Sequence, residues 1–286
     1  MRRHVLTLIA AGGLGNVAPH LARRLGGDVA WLAPDHAADI FFDADPATAA
    51  PLLAGLGGGI DAIVQPAADR RKALLVADME ATTIENEMLD EMADLIGVKD
   101  RVAAITRRAM NGELDFAASL RARVALFAGQ PETLLAAAAK RIRFTPGAAT
   151  LVRTMRRDGA RAVLVSGGFG AISKEVREAL GFERDYANAL LVDGGTITGA
   201  VREPILDAAG KAAVLRRCAD EFGVSMARTM TVGDGANDLP MLEAAGIGIA
   251  YHAKPQVEAR IAHRVNHADL TALLYCQGYR ISEFAA

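Results

Sequence analysis

Cysteine is scarce in this chain: 286 residues carry only Cys218 and Cys276, far apart in sequence. Two such residues argue against a disulfide-stapled scaffold and fit a reducing compartment. An excess of charge of either sign is also missing, with 32 basic residues against 34 acidic ones. That balance leaves no electrostatic footprint for nucleic acid or an acidic membrane, and neither is expected as a partner. No apolar run is long enough to span a bilayer. Arg2-Arg3 followed by residues 5–11 imitates a short signal peptide, but the run is short, is interrupted by Thr7 and leads into a plausible helix. It reads as a first strand, and the expected location is cytoplasmic. What is present in quantity is apolar surface: 51% hydrophobic against 23% charged residues, enough for a sizeable core. The length suits two or three domains.

Residues 1–70 read as a separate small module. Strands are expected at 4–10, 29–32, 40–42 and 60–64, and helices at 17–25 and 48–56, both ended by glycines. The order βαββαβ suggests a ferredoxin-like α+β sandwich, followed by a polar linker over 66–72. This module also contains Gly13-Leu14-Gly15-Asn16-Val17-Ala18 between a strand and a helix, with Asp35 about twenty residues on, as a dinucleotide fingerprint asks. Roughly 70 residues is short for even half of such a domain. Gly168-Phe169-Gly170 shows that the first part of the pattern also arises here by chance. A nucleotide-binding module therefore stands as an alternative.

Beyond the linker, Leu74-Leu75-Val76-Ala77-Asp78-Met79-Glu80 is a short apolar run that stops at an acid and places a second acid two residues on. Such a run reads as a buried parallel strand, and ligands gather beyond the carboxyl ends of such strands. Residues 84–96 carry apolar side chains at helical spacing, and helices continue to about 143 without strands of their own. Alternation of strand and helix then resumes. Ser166-Gly167-Gly168-Phe169 ends one strand, Asp193-Gly194-Gly195 marks a β-hairpin, Lys211 lies in the first turn of a helix, and Gly233-Asp234-Gly235-Ala236-Asn237-Asp238 ends another strand. The expectation is an α/β protein: a doubly wound core at 71–87 and 144–286, with a helical cap inserted at 88–143.

Taken singly, each piece has a plain reading: Asp78 as a cap, Ser166 as a turn residue, Lys211 as a solvated helix lysine. Jointly they supply what a phosphate ester requires. A carboxylate attacking an anionic phosphoryl group needs compensating charge. Mg²⁺ held by Asp78, Asp234 and the main-chain carbonyl of Glu80 would supply it. Ser166 and the Gly167 amide would grip phosphoryl oxygens, and Lys211 adds a fixed charge. Attack by Asp78 would form an aspartyl-phosphate, and Glu80 would protonate the leaving oxygen and then deprotonate water.

Asp78-Met79-Glu80, Ser166-Gly167-Gly168-Phe169, Lys211 and Gly233-Asp234-Gly235-Ala236-Asn237-Asp238 resemble the four motifs of the haloacid dehalogenase (HAD) superfamily. More narrowly, residues 72–275 resemble its phosphoserine phosphatase branch. That resemblance implies a Rossmann-like core with a helical cap and Mg²⁺-dependent hydrolysis of O-phosphoserine to serine and phosphate, the last step of serine biosynthesis. It further implies that Arg123 binds the substrate carboxylate and Glu87 its ammonium, that Met110 and Phe116 shield the site, and that Asn237 orients substrate. The chain departs from the pattern at Glu80, where aspartate is usual, and at Ala81, where serine is usual. The first module resembles, more weakly, the ACT-like regulatory domains of this family, which implies amino-acid binding or a homodimer through that domain. A phosphatase for another small phosphoester and a purely regulatory amino-acid sensor are the remaining alternatives.

Overall fold

The computed structural model describes residues 2–54, 56 and 58–286. The first strand, β1 (His4–Ala10), is buried on both faces, and the chain then turns into α1 (Val17–Leu25). This helix buries Ala18, Leu21, Ala22 and Leu25, spaced three and four apart, against the sheet. Strands β2 (Asp28–Ala33) and β3 (Ala37–Phe42) follow, then the single-turn α2 (Ala50–Leu53) and β4 (Ile60–Pro66). The sheet runs β2-β3-β1-β4, antiparallel throughout, as a ferredoxin-like βαββαβ unit requires.

The helix expected over 48–56 is a correction. A 3₁₀ turn at Pro46–Thr48, capped by Asp45, precedes α2, and Pro51 stands inside the first turn of α2. Two prolines so close restart the backbone instead of continuing one helix. Gly55, inside that span, and Gly57, among the glycines expected to end it, lie outside the described residues. The dinucleotide fingerprint also fails. Asp35 spends its carboxylate on the Gly15 N–H (2.6 Å) and its carbonyl on the Leu14 N–H (2.6 Å), so the loop amides face their own acid. The sheet beneath is antiparallel, without the parallel βαβ unit that a dinucleotide site needs.

The module's sheet is covered on both sides. Leu6, Leu8, Ala10, Ile40 and Phe42 face its helices, while Ile9, Ala37 and Ile63 join the core of the remainder. Polar groups fix this junction. The buried Asp61 carboxylate accepts from the main-chain N–H groups of Asn266 (2.7 Å), His267 (3.1 Å) and Ala268 (2.8 Å). Arg70, in the linker, donates to Asp39 at 2.6 Å, and Gln65 donates to the Cys276 carbonyl at 2.6 Å. Burial raises the Asp39 pKa although Arg70 and Thr7 oppose it, so desolvation outweighs the attraction within the pair.

The second sheet begins with β5 (Leu74–Asp78), which has every residue buried. Helices α3 (Met88–Leu95), α4 (Lys99–Met110), α5 (Phe116–Val124) and α6 (Thr133–Ala139) follow, then α7 (Ala148–Arg157) and β6 (Arg161–Phe169). After α8 (Gly170–Leu180) and β7 (Arg184–Asn188) comes the hairpin β8 (Leu190–Asp193) and β9 (Thr196–Val201). Its turn, Gly194-Gly195, has two consecutive positive φ angles (52° and 78°), which glycine adopts without strain. The chain continues through α9 (Ala208–Glu221), β10 (Thr229–Gly233), α10 (Leu239–Ala244), β11 (Ile247–Tyr251), α11 (Pro255–Glu258), β12 (His263–Val265) and α12 (Ala272–Cys276).

The six-stranded sheet is parallel, in the order β12-β11-β10-β5-β6-β7. Alternate residues of its strands face opposite layers: Leu74, Val76, Val163 and Val165 pack under α9 and α10, while Leu75, Ala77, Ala162 and Leu164 join the larger core with α7 and α8. Helices α3–α6 leave and return through two hydrogen-bonded segments, with the Glu85 N–H donating to the Arg143 carbonyl (2.8 Å) and the Thr145 N–H to the Thr83 carbonyl (3.1 Å). The hairpin packs against them through main-chain bonds from Gly129 to Ile197 and from Glu132 to Gly195. Strand β5 sits between β10 and β6, so its carboxyl end is the centre of the sheet's upper edge.

Candidate active site

Asp78 is the last residue of β5, level with Val165 in β6. The chain then doubles back: the N–H groups of Thr83 and Ile84 reach the Met79 carbonyl, and Ala81 takes a left-handed φ of 51°. A non-glycine residue held in that region marks a turn that the surrounding contacts impose. The turn frees the Asp78 carboxylate from capping. Its Oδ1 instead accepts from Lys211 Nζ at 2.6 Å.

Lys211 arrives from α9, whose N-cap Asp207 accepts from the Gly210 N–H (2.9 Å) and so fixes the first turn. Its side chain is 1% exposed, and its ammonium bridges Asp78 and Asp238, the latter at 2.7 Å. Burial works against this charge, but Asp238 and Asp78 outweigh it and the pKa ends raised. Asp238 is fully engaged: its second oxygen accepts from the Gly235 N–H at 3.0 Å. Asp234, just past β10, is mostly buried and contacts Lys254 Nζ through Oδ2 at 3.1 Å. One oxygen from each of Asp78, Asp234 and Asp238 lies within 4.8 Å of the others. Three hard oxygen donors so close suit a divalent cation. Because both Asp238 oxygens already hold donors, Asp78 and Asp234 are the better placed to bind one. Burial, with help from Asp238, pushes the Asp78 pKa well above the usual carboxylate range against the pull of Lys211; burial also raises Asp234.

Glu80 points across to β6. Its Oε1 accepts from the Met88 N–H at the start of α3 (2.9 Å). A Cβ added at Gly168 would stand 3.0 Å from its Oε2, so the bare glycine is what admits the longer acid. Burial and the neighbouring Glu87 push its pKa up to about 7, opposed by the Met88 N–H. Ser166 is buried and its Oγ accepts from the Gly168 N–H (2.8 Å). Residues 166–168 leave the β6–β7 ladder, where the register shifts between Val165 and Phe169. Asn188 ties them down: it donates to the Gly167 carbonyl (2.8 Å) and accepts from the Leu206 N–H (2.7 Å).

The remaining expected residues divide. Phe116 brings its ring over Gly167, where an added Cβ would meet Cζ at 3.0 Å, and Asn237 Nδ2 lies 3.8 Å from the same point. Glu87 is the N-cap of α3, its residue surface exposed but its carboxyl crowded by neighbouring groups. Burial by neighbouring groups raises its pKa, with Lys254 and Arg123 opposing and Asp234 adding. Arg123 is partly buried and close enough to lower the pKa values of both Glu80 and Glu87. Met110, at the end of α4, is 80% exposed. Asn188, Lys254 and the bridging role of Asp238 escaped the sequence reading. Asn188 lies in an ordinary strand pattern, and Lys254 follows β11 without any motif around it.

The description "haloacid dehalogenase-like hydrolase" matches residues 75–243, more than half of the chain. The chain belongs to the haloacid dehalogenase-like hydrolase family. Among relatives of this HAD chain, a phosphoserine phosphatase from Streptomyces coelicolor is 43% identical over 230 residues, 80% of this chain and 56% of that protein. The chain thus spans little more than half the length of that curated relative. A HAD-family hydrolase from Salmonella enterica serovar Typhi shares the fold over 96% of this chain and 97% of its own, with a TM-score of 0.87 and 27% identity. A phospho-aspartyl intermediate analogue of a phosphoserine phosphatase superposes with a TM-score of 0.67 at 36% identity, covering 72% of this HAD chain and 98% of its own.

Proposed function

We propose that this HAD protein is a Mg²⁺-dependent phosphoserine phosphatase, hydrolysing O-phosphoserine to serine and phosphate in the last step of serine biosynthesis. The observation that carries the reading is the convergence of Asp78, Lys211, Asp234, Ser166 and Glu80 at the adjacent tips of β5, β6 and β10. The Streptomyces relative and the phospho-aspartyl analogue support it. In this reading residues 71–87 and 144–286 form the catalytic core, 88–143 the cap and 1–70 an ACT-like regulatory module. Free, buried Cys218 and Cys276 suit the cytoplasm, and among the described residues no helix is long and apolar enough to cross a membrane.

Mg²⁺ on Asp78, Asp234 and the Glu80 carbonyl would neutralise phosphoryl charge and lower the barrier to anionic attack. An Asp78 oxygen attacks phosphorus, the bond to the serine oxygen breaks, and an aspartyl-phosphate results. Lys211 holds Asp78 in position and adds a cation beside the transferring group. Ser166 Oγ and the Gly167 N–H donate to phosphoryl oxygens. Glu80 gives its proton to the departing serine oxygen, then takes one from the water that opens the acyl phosphate. Asn237 orients the substrate, Phe116 covers the Gly167 side, and Arg123 and Glu87 read the carboxylate and the ammonium.

A panel of phosphoesters tests this reading, with phosphate release measured with and without Mg²⁺. O-Phosphoserine should be preferred over phosphothreonine and sugar phosphates. Arg123→Met should raise KM for phosphoserine by at least about tenfold, the scale of a lost charged hydrogen bond, and leave KM for phosphoethanolamine, which lacks the carboxylate, nearly unchanged. Equal effects on both substrates would detach Arg123 from carboxylate recognition, and a sugar phosphate turned over faster would move the protein to another small phosphoester.

Glu80→Gln should slow turnover by about 10²–10⁴-fold. With a pKa near 7, Glu80 must be protonated for phosphoryl transfer and ionised for hydrolysis. Single-turnover transfer should therefore fall as pH rises through 7, and hydrolysis of the intermediate should fall as pH drops through 7. Parent-like pH limbs in the glutamine variant would remove the role.

Self-association through residues 1–70 belongs to the same proposal. Strand β4 is flanked by β12, where His263 meets the Val64 carbonyl (3.1 Å), so pairing would run along the β2 edge. A monomeric mass at micromolar concentration would rule it out.

A further inference from the structure

One cation beside the site, Lys254, belongs to none of the motifs read from the sequence. Lys254 follows β11, and its backbone is fixed: its N–H donates to the Asp234 carbonyl (3.0 Å), and its carbonyl accepts from Val257 (2.8 Å) and Glu258 (3.1 Å) at the start of α11. Its side chain is free by comparison, 51% exposed, with Nζ 3.1 Å from Asp234 Oδ2. Asp234 is itself only 9% exposed in its side chain, and Lys254 is the one cation paired with it among the described residues. Lys211 is enclosed and shared between Asp78 and Asp238, so it cannot take that place. Glu87 also lies within the field of Lys254.

We propose that Lys254 is the resident counter-cation of Asp234: it holds that carboxylate while no metal is bound and must leave it when a divalent cation arrives, thereby setting the metal affinity of the site. The proposal rests on the metal role given to Asp234 above. An ammonium at 3.1 Å from a carboxylate oxygen neutralises charge on which a divalent cation would otherwise draw. Departure requires no backbone movement, since the side chain is long and half exposed. Glu87 provides the charge toward which it can swing. Lys254 is then a positioning residue: it acts on metal and carboxylate, not on the reacting bond.

The test is Mg²⁺ binding to the metal-stripped full chain, without substrate, by isothermal titration calorimetry. Lys254→Met should tighten the Mg²⁺ Kd by about threefold or more, the scale of one half-exposed ion pair, and the gain should shrink as salt is added. Lys254→Arg keeps the charge and should stay within about twofold of the parent. A methionine variant with parent-like or weaker affinity overturns the proposal. Asp234→Asn separates the two layers of the argument. Weakened binding there beside an unchanged Lys254→Met refutes only the role of Lys254, whereas unchanged binding in Asp234→Asn removes the metal role of Asp234 and the proposal with it.

Discussion

Asp78→Asn should lower phosphate release from O-phosphoserine by roughly 10⁴-fold or more, the scale of losing a nucleophile that acts within a coupled unit. Asparagine keeps the shape but has no anionic oxygen to bond phosphorus. The fold should survive. Burial disfavours the Asp78 charge in the native protein, and Lys211 retains Asp238 as a partner after the change. The metal-free variant is therefore expected to unfold at or above the parent's midpoint, a separation of activity from stability often found at sites built for chemistry. Phosphate assay and thermal unfolding on the same preparation check both halves. Turnover within tenfold of the parent would end the covalent mechanism; a collapsed midpoint would show that Asp78 holds the fold together.

Lys211→Met should have the opposite character, costing stability as well as activity. The ammonium is 1% exposed and is shared by two buried carboxylates. Its removal leaves both without a cation in contact, a change of about 3–5 kcal/mol in comparable buried pairs. The loss should depend on pH, and the sign follows from which state binds more protons. In the parent, the raised pKa of Lys211 stabilises fully below the ordinary ammonium value and fades only as pH rises through the folded value, so it contributes evenly between pH 4 and 8. In the variant, Asp78 loses its compensating charge, and its folded pKa rises further above the unfolded value of about 3.9. Folding then takes up a proton, and stability falls as pH climbs from about 4 through the raised Asp78 value. Urea unfolding at pH 5 and pH 8 should show the gap between parent and variant widening at the higher pH. A gap that is equal at both, or larger at pH 5, would refute this coupling.

Much of the architecture was legible along the chain. The run Leu74–Asp78, apolar and stopped by an acid, is the central strand, and Gly194-Gly195 turns the hairpin where expected. The expected α/β core and N-terminal α+β module agree with the six-stranded parallel and four-stranded antiparallel sheets found. Failures came where a local pattern had to be weighed against neighbours distant in sequence. The helix expected over 48–56 broke at closely spaced prolines, and the glycines after β1 proved to serve Asp35.

What the sequence determined by itself was periodicity and punctuation: which segments alternate, where apolar runs meet acids or bare glycines, and therefore which residues stand at strand tips. The tertiary structure alone decided how those tips are wired. It put Lys211 between Asp78 and Asp238, 133 and 27 residues away, set Asn188 behind the Gly167 carbonyl, seated Lys254 on Asp234 and left Met110 in solvent. The reason is physical. Strand and helix propensities act within a few residues, whereas a buried charge must find its partner wherever the packed layers bring one within reach.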